Sequence, residues 1–168
     1  MVQEIKVESR IVTLRPKKLV GIHMEMSLSD NKTQQLWQQF MPRRSEVLDR
    51  TSSEFLSMQV YTDSRQLFEP TALFTKWAVV EVATHAEIPR GMDAYTLDGG
   101  KYVVFIHEGP ASAAPKTWRY IFGSWLPTSK YELDDREHFE VLPEGYNPLD
   151  PEAREEVWVP IKTKLKPM

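Results

Sequence analysis

The chain has 168 residues, of which 41% are hydrophobic and 27% are charged, a composition that allows a buried core and argues against disorder. It has no cysteine, which excludes disulfides, thiolate zinc sites and cysteine nucleophiles. Its net charge of −3 argues against direct binding of nucleic acid, because phosphate binding needs a clustered positive surface.

The amino-terminal residues 1–10 mix charged and apolar side chains and contain no apolar run typical of a signal peptide. No stretch of the chain approaches the roughly 20 apolar residues of a membrane span. We therefore expect a cytoplasmic protein without membrane association.

The first half of the chain predicts a strand, a helix and two further strands. Ser29 or Asp30 can cap the helix by accepting hydrogen bonds from its first N–H groups, and Pro42, which lacks an N–H, predicts its end. The apolar stripe of this helix comprises Leu36, Trp37, Phe40 and Met41. The strands are predicted at residues 19–26, 55–62 and 74–83, which are rich in β-branched and aromatic side chains.

The second half predicts the same elements in the same order. Pro115 suits the first turn of a helix, and Pro127 predicts the end of that helix. Its apolar stripe comprises Trp118, Ile121, Phe122, Trp125 and Leu126. Strands are predicted at residues 102–107, 138–142 and 157–162, a loop at residues 143–151, and a connector between the halves at residues 84–93.

Short sequence matches also repeat along the chain. Thr13-Leu14 and Lys18-Leu19-Val20 match Thr96-Leu97 and Lys101-Tyr102-Val103 at an offset of 83 residues, and residues 36–42 match residues 121–127 at an offset of 85. We interpret residues 1–168 as one domain made of a duplicated unit, with repeat 1 at about 1–84 and repeat 2 at about 94–168. This organisation predicts an α+β fold: one antiparallel sheet of about eight strands, two helices on one face and a ligand cleft between the repeats.

The alternation of side chains along a strand divides each predicted strand into two faces. The aliphatic faces, such as Leu56, Met58 and Val60, are expected to pack under the helices. The other faces mix large aromatic side chains with carboxylates, which together suit an amphipathic cation. The candidate ligand-binding residues are Phe55, Tyr61, Trp77, Glu81, Glu140 and Trp158. The alternative interpretation is that the aromatic residues belong to the core and the glutamates face water.

Glu140 is the sharpest candidate in this set. By the offset of 85 residues its counterpart in repeat 1 is Phe55, and a carboxylate where the sister unit has an aromatic ring is a local inconsistency typical of functional sites. Burial would raise its pKa unless a cation pairs with it. The alternative is a solvated glutamate on an edge strand.

No sequence motif indicates a metal or a cofactor. The four histidines, His23, His85, His107 and His138, do not have the spacing of metal ligands. The chain contains neither a GxGxxG sequence nor a P-loop. We expect no cofactor and no metal.

Four stretches of the second half carry a family resemblance. They are residues 101–110 (KYVVFIHEGP), the helix end Trp125-Leu126-Pro127, residues 138–142 (HFEVL) and residues 156–162 (EVWVPIK). In combination they resemble the GyrI-like small-molecule-binding domain, which also forms the effector-binding part of AraC-type and MerR-type transcription regulators. The resemblance extends to the first half, because that half supplies the expected sister unit.

The resemblance implies two pseudo-symmetric units with a ligand cleft between them. It also implies a glutamate in the strand before the last that faces the cleft and meets cationic or polar ligands, and Glu140 occupies this position. The usual tyrosine that follows the glutamate pattern is Leu142 here, so one aromatic wall is expected to be missing. Regulators of this family carry a separate helix-turn-helix domain, for which this chain has no residues left, so a stand-alone member is expected.

Three functions are compatible with this resemblance. The first is binding of a lipophilic, cationic small molecule, as in multidrug-binding effector domains. The second is hydrolysis of strained cyclopropane-containing compounds, with Glu140 as the general base and Tyr61 or Tyr102 assisting. The third is interaction with a protein partner, as in the gyrase-inhibitor member, and it predicts an exposed apolar patch rather than an enclosed cleft.

Overall fold

The computed structural model describes residues 8–165. The outer limits of both predicted repeats, and residues 1–7 of the amino-terminal stretch, lie outside this range. Among residues 8–165, no helix is long and apolar enough to cross a membrane.

Within residues 8–165, nine strands form one antiparallel sheet. Their bounds are β1 Ser9–Leu14, β2 Lys17–Met26, β3 Phe55–Tyr61, β4 Phe74–Val82, β5 Asp93–Leu97, β6 Gly100–Glu108, β7 Tyr131–Leu133, β8 His138–Leu142 and β9 Arg154–Thr163. The order across the sheet is β1-β6-β9-β8-β3-β4-β2-β5, with the short β7 paired to β9. The α+β fold with one large antiparallel sheet is therefore confirmed, although β1, β5 and β7 were not predicted as strands.

Helix α1 spans Thr33–Phe40 and continues as a 3-10 turn at Met41–Glu46. Leu36 and Phe40 are fully buried against the sheet, as the i, i+4 spacing of the stripe predicts. The predicted cap is wrong: Lys32 is the N-cap and makes no side-chain cap. Asn31, rather than Ser29 or Asp30, accepts from the first N–H of the helix, that of Thr33, at 2.9 Å.

Helix α2 spans Ala114–Tyr120 and runs through a π-helical turn, Ile121–Trp125, into the short α3, Leu126–Thr128. The prediction that Pro127 ends this helix before that residue is wrong. The π-helical turn interrupts the regular i to i−4 hydrogen-bond ladder, so the missing N–H of Pro127 falls where its cost is small.

The strand order has a pseudo-two-fold symmetry that relates the two halves. Strand β1 of the first half pairs with β6 of the second, and β5 of the second half pairs with β2 of the first. Leu14 corresponds to Leu97 (97 − 14 = 83), and the same offset relates Leu56 of β3 to Phe139 of β8 (139 − 56 = 83). Between β4 and β9 the offset is 79, because Val79 pairs with Leu56 and Trp158 pairs with Phe139 (158 − 79 = 79). The counterpart of Glu140 is therefore Ser57, and the expectation that it is Phe55 is wrong because the offset of 85 holds only in the helices.

The sheet must curl, because its two ends are connected by very short links. Only two residues join β1 to β2, which span at most about 11 Å. Six strand spacings separate these strands in the sheet order, which would amount to about 29 Å in a flat sheet. The curl closes one face of the sheet on itself, and we call this the inner face.

Residues directly opposite each other in neighbouring strands share a face, so the registers identify both faces. One row contains Trp77, Met58, Phe139 and Trp158, which belong to the core of the inner face. The adjacent row contains Ala78, Ser57, Glu140 and Val157, and it lies on the face covered by α1 and α2, which we call the helix face. The expectation that Leu56, Met58 and Val60 pack under the helices is therefore wrong, since these residues lie on the inner face.

Candidate functional site

A cleft of about 730 Å³ lies on the helix face, between α1 and α2 and above the central strands β3 and β8. Its size is that of a small-molecule site. The lining side chains are Thr33, Gln34, Trp37, Gln38, Met41, Phe55, Ser57, Lys76, Ala111, Ala114, Trp118, Glu140, Leu142, Pro143, Gly145, Tyr146, Pro148 and Glu155. The predicted cleft between the repeats therefore exists, on the same face as the helices.

Aromatic side chains form part of two opposite walls of the cleft. Trp37 from α1 packs edge-on against Phe55 of β3, with ring centroids 6.1 Å apart. On the opposite wall, Trp118 from α2 stacks on Phe122 at 5.5 Å. Both tryptophans are half-buried, so each offers ring surface to a ligand. Ring faces of this kind attract positive charge.

Glu140 lies at the centre of the cleft floor. It stands directly opposite Ser57 in the β3–β8 ladder, where the pseudo-two-fold axis passes. The amide nitrogen Nε2 of Gln59 donates a hydrogen bond of 2.9 Å to its Oε2. Gln59 is buried, so this bond holds the Glu140 carboxylate in a fixed orientation toward the cleft.

A second carboxyl, Glu155 of β9, lines the same cleft. Burial, and next the negative charge of Glu140, raise the pKa of Glu155 from 4.5 to about 7, while the hydroxyl of Tyr146 and the charge of Lys76 oppose the rise. Near neutral pH the site therefore holds two carboxyl groups that repel each other and that a cation would neutralise.

Tyr61 and His138 lie on the helix face at the end of β3 and the start of β8. Their rings meet edge-to-face at 5.2 Å, and Tyr61 also packs against Phe74. Burial lowers the pKa of His138 to about 3, assisted by the charge of Arg136, so its imidazole is neutral. Tyr61 is not among the lining residues, although the charge of Glu140 contributes to the raised pKa of its hydroxyl.

Trp77 and Trp158 lie on the inner face, away from the cleft, and their predicted placement beside Glu140 is wrong. Trp77 packs against His23 and Tyr95, and Trp158 stacks on Phe139 at 5.1 Å. The curl of the sheet gives these large rings a core of their own, so they need no ligand to cover them.

Glu81 and Tyr102 also lie on the inner face, so their predicted roles in the site are wrong as well. Glu81 accepts from Lys17 at 2.9 Å and from the Thr51 hydroxyl at 2.8 Å. The hydroxyl of Tyr102 donates to the backbone oxygen of Glu137 at 2.9 Å. Neither group reaches the cleft, so Tyr102 cannot assist a reaction there.

Of the predicted site residues only Phe55 and Glu140 line the cleft. The aromatic and charged lining residues that sequence reasoning missed are Trp37, Lys76, Trp118, Tyr146 and Glu155. The two tryptophans were interpreted as core because they belong to apolar helical stripes. Tyr146 lies in a loop whose path the sequence does not define. For Lys76 a signal was available, since it is a charged residue among the apolar side chains of a predicted strand. Glu155 gives no such signal, because it stands between the charged residues Arg154 and Glu156.

The family model of the GyrI-like small molecule binding domain matches residues 7–162 of the chain. The transcriptional regulator BrlR of Pseudomonas aeruginosa is 27% identical over 154 residues, which are 91% of this chain and 55% of BrlR. The chain thus spans about half the length of this curated relative.

Two solved structures have a similar fold at low sequence identity. The structure of SAV2435 bound to tetraphenylphosphonium has a TM-score of 0.71 and 18% identity, over 92% of this chain and 94% of that one. The C-terminal domain of EcmrR has a TM-score of 0.71 and 13% identity, over 94% of this chain and 99% of that one.

Proposed function

Since the chain belongs to the GyrI-like small-molecule-binding domain family, we propose that it binds a lipophilic cation in the cleft, with Glu140 as the principal counter-charge. The observation that carries this proposal is the Glu140 carboxylate, held by Gln59 at the centre of an aromatic cleft. The tetraphenylphosphonium-bound relative supports the same class of ligand.

The forces on such a ligand follow from the walls and the floor of the cleft. Apolar contact with Trp37, Phe55 and Trp118 would remove aromatic ligand surface from water, which contributes about 25 cal/mol per Å². Each ring face that meets the cation adds about 0.5–2 kcal/mol. The carboxylate then distinguishes a cation from a neutral molecule of the same shape.

The test is ligand binding by thermal shift and calorimetry, with tetraphenylphosphonium as the cation and triphenylphosphine oxide as its neutral analogue. A ligand at 100 times its Kd stabilises the folded state by about 2.7 kcal/mol, which corresponds to a rise in Tm of about 5–10 °C for a chain of this size. We expect this rise for the cation, at least a tenfold weaker Kd in Glu140→Gln, and no change in the exposed control Glu54→Gln.

Three outcomes of this experiment would change the conclusion. No shift with any cation would overturn the proposal. Equal affinity for the cation and its neutral analogue would remove the role of Glu140. Capture of a folded protein partner that Glu140→Gln does not weaken would favour the protein-interaction function instead.

Hydrolysis of a strained cyclopropane-containing ligand in the same cleft is the second candidate, with Glu140 as the general base. The observation that favours it is Glu155, whose pKa of about 7 suits an acid–base group at neutral pH. Its test is mass-spectrometric detection of a product one water heavier than the substrate. Product formation by the wild type, lost in Glu140→Gln, would establish this reaction, and an unchanged substrate would exclude it.

A further inference from the structure

Lys76 places a positive charge in a cleft whose other charged side chains are carboxylates. It lies on β4, lines the cleft, and is only 8% exposed. Its ammonium makes no hydrogen bond or ion pair with any residue from 8 to 165. Because the side chain lines the cleft, its ammonium is available to an acceptor that a ligand brings into the cleft, and a hydrogen bond to a charged group is a strong one.

The charge of Lys76 acts on the contents of the cleft. It lowers the pKa of Glu155 against the opposing effects of burial and of Glu140. The registers also make Lys76 and Glu155 counterparts across the pseudo-two-fold axis, because Lys76 stands opposite Met24 of β2 and Glu155 stands opposite His107, the counterpart of Met24 in β6 (107 − 24 = 83). Equivalent positions on the two sides of the floor therefore carry opposite charge.

Because of this asymmetry, the two sides of the cleft floor act differently on a charged ligand. A cation near Glu140 and Glu155 is attracted, whereas a cation near Lys76 is repelled. A ligand that is uniformly cationic therefore gains from one side of the floor and loses at the other. A ligand with a cationic centre and a separate anionic group gains from both.

We propose that Lys76 determines ligand specificity by binding an anionic group of the ligand, so that the preferred guests of the cleft are lipophilic zwitterions rather than simple cations. This inference rests on the proposed function, because it assumes that the cleft binds lipophilic cations. It adds that the ligand also carries an anionic group, which Lys76 binds.

The experiment compares three probes that share one scaffold. They are tetraphenylphosphonium, the (4-carboxyphenyl)triphenylphosphonium zwitterion, and the methyl ester of that zwitterion, which keeps its size and removes its negative charge. Each Kd is measured by calorimetry with the wild type, Lys76→Met, Lys76→Arg and the exposed control Lys18→Met.

We expect the wild type to bind the zwitterion about ten- to a hundredfold more tightly than the ester, the range for a hydrogen bond to a charged group. Lys76→Met should abolish this preference and leave the Kd of tetraphenylphosphonium unchanged or lower it. Lys76→Arg keeps the charge and should retain the preference, which also covers the case in which the methionine variant does not fold. Lys18→Met should behave as the wild type.

The outcomes separate this inference from the function on which it rests. If all three probes bind the wild type but Lys76→Met leaves the zwitterion-to-ester ratio unchanged, the role of Lys76 is overturned and cation binding stands. A wild type that binds the ester as tightly as the zwitterion also overturns it. If no probe binds the wild type, both proposals fail.

Discussion

Replacing Glu155 by glutamine should stabilise the protein at neutral and alkaline pH and leave its stability at pH 4 nearly unchanged. Burial and the charge of Glu140 raise the pKa of Glu155 from 4.5 to about 7. Between these two values the folded state holds a proton that the unfolded state has released. The free energy of unfolding therefore falls as the pH rises from 4.5 to 7.

The size of the effect follows from the same two values. Each pKa unit corresponds to about 1.4 kcal/mol, so the rise from 4.5 to about 7 gives an upper limit of ~3 kcal/mol. Glutamine has nearly the shape of a protonated glutamate and cannot ionise. The variant should therefore lack this loss and be more stable than the wild type by up to about 3 kcal/mol above pH 7.

The assay is urea denaturation of the wild type, Glu155→Gln and the exposed control Glu152→Gln at half-unit steps from pH 4 to pH 8.5. The difference between the wild type and Glu155→Gln should open between pH 4.5 and pH 7 and then stay constant. The control should follow the wild type throughout. A difference that does not depend on pH would refute the reasoning, because it would show that Glu155 does not carry a raised pKa in the folded protein.

Three further predictions follow from the described contacts. His138→Phe should remove a loss of stability at acid pH. Burial lowers the pKa of His138 from 6.5 to about 3, so the free energy of unfolding of the wild type falls as the pH drops below 6.5, by about 2–3 kcal/mol at pH 4.5. Urea titrations of both proteins at pH 7 and pH 4.5 test this, and an equal loss in both would contradict it. Gly21→Ala should prevent folding or destabilise the protein by more than about 3 kcal/mol, since its Cβ would lie 1.9 Å from the backbone oxygen of Ala78. The matched control Gly123→Ala adds a Cβ that meets nothing within 4 Å, so it should leave the stability unchanged or slightly raise it. Thermal unfolding followed by circular dichroism measures both. Trp118→Ala should weaken tetraphenylphosphonium binding about three- to thirtyfold, and an unchanged Kd by calorimetry would exclude this wall from the ligand site.

The fold could be predicted from the sequence because two independent patterns agree. The predicted strands, which correspond to β2, β3, β4, β6, β8 and β9, are rich in β-branched and aromatic residues. The short matches at similar offsets of 83 and 85 indicate a duplicated unit. The edge strands β1 and β5 escaped prediction because they are mostly exposed and only their last residues, Leu14 and Leu97, are buried. Only their pairing with β6 and β2 defines them.

The site was predicted only in part because strand alternation gives two faces without saying which one the helices cover. Glu140 and Phe55 were expected in the cleft and line it, whereas Trp77 and Trp158 have the opposite parity in the observed registers. The choice between faces depends on the curl of the sheet, which follows from the short links between its ends. No local pattern in a strand contains that information.

The exchange of first strands between the halves limits how the proposed ligand could enter the cleft. Moving the two halves apart as rigid bodies would break the β1–β6, β2–β5 and β3–β8 strand pairings at the same time, and the sheet would lose its continuity. The rim of the cleft offers an easier route. The loop that carries Pro143, Tyr146 and Pro148 borders the cleft there and is not part of any strand. We therefore expect the proposed ligand to enter and leave at this rim, while the strands of the cleft floor stay in place.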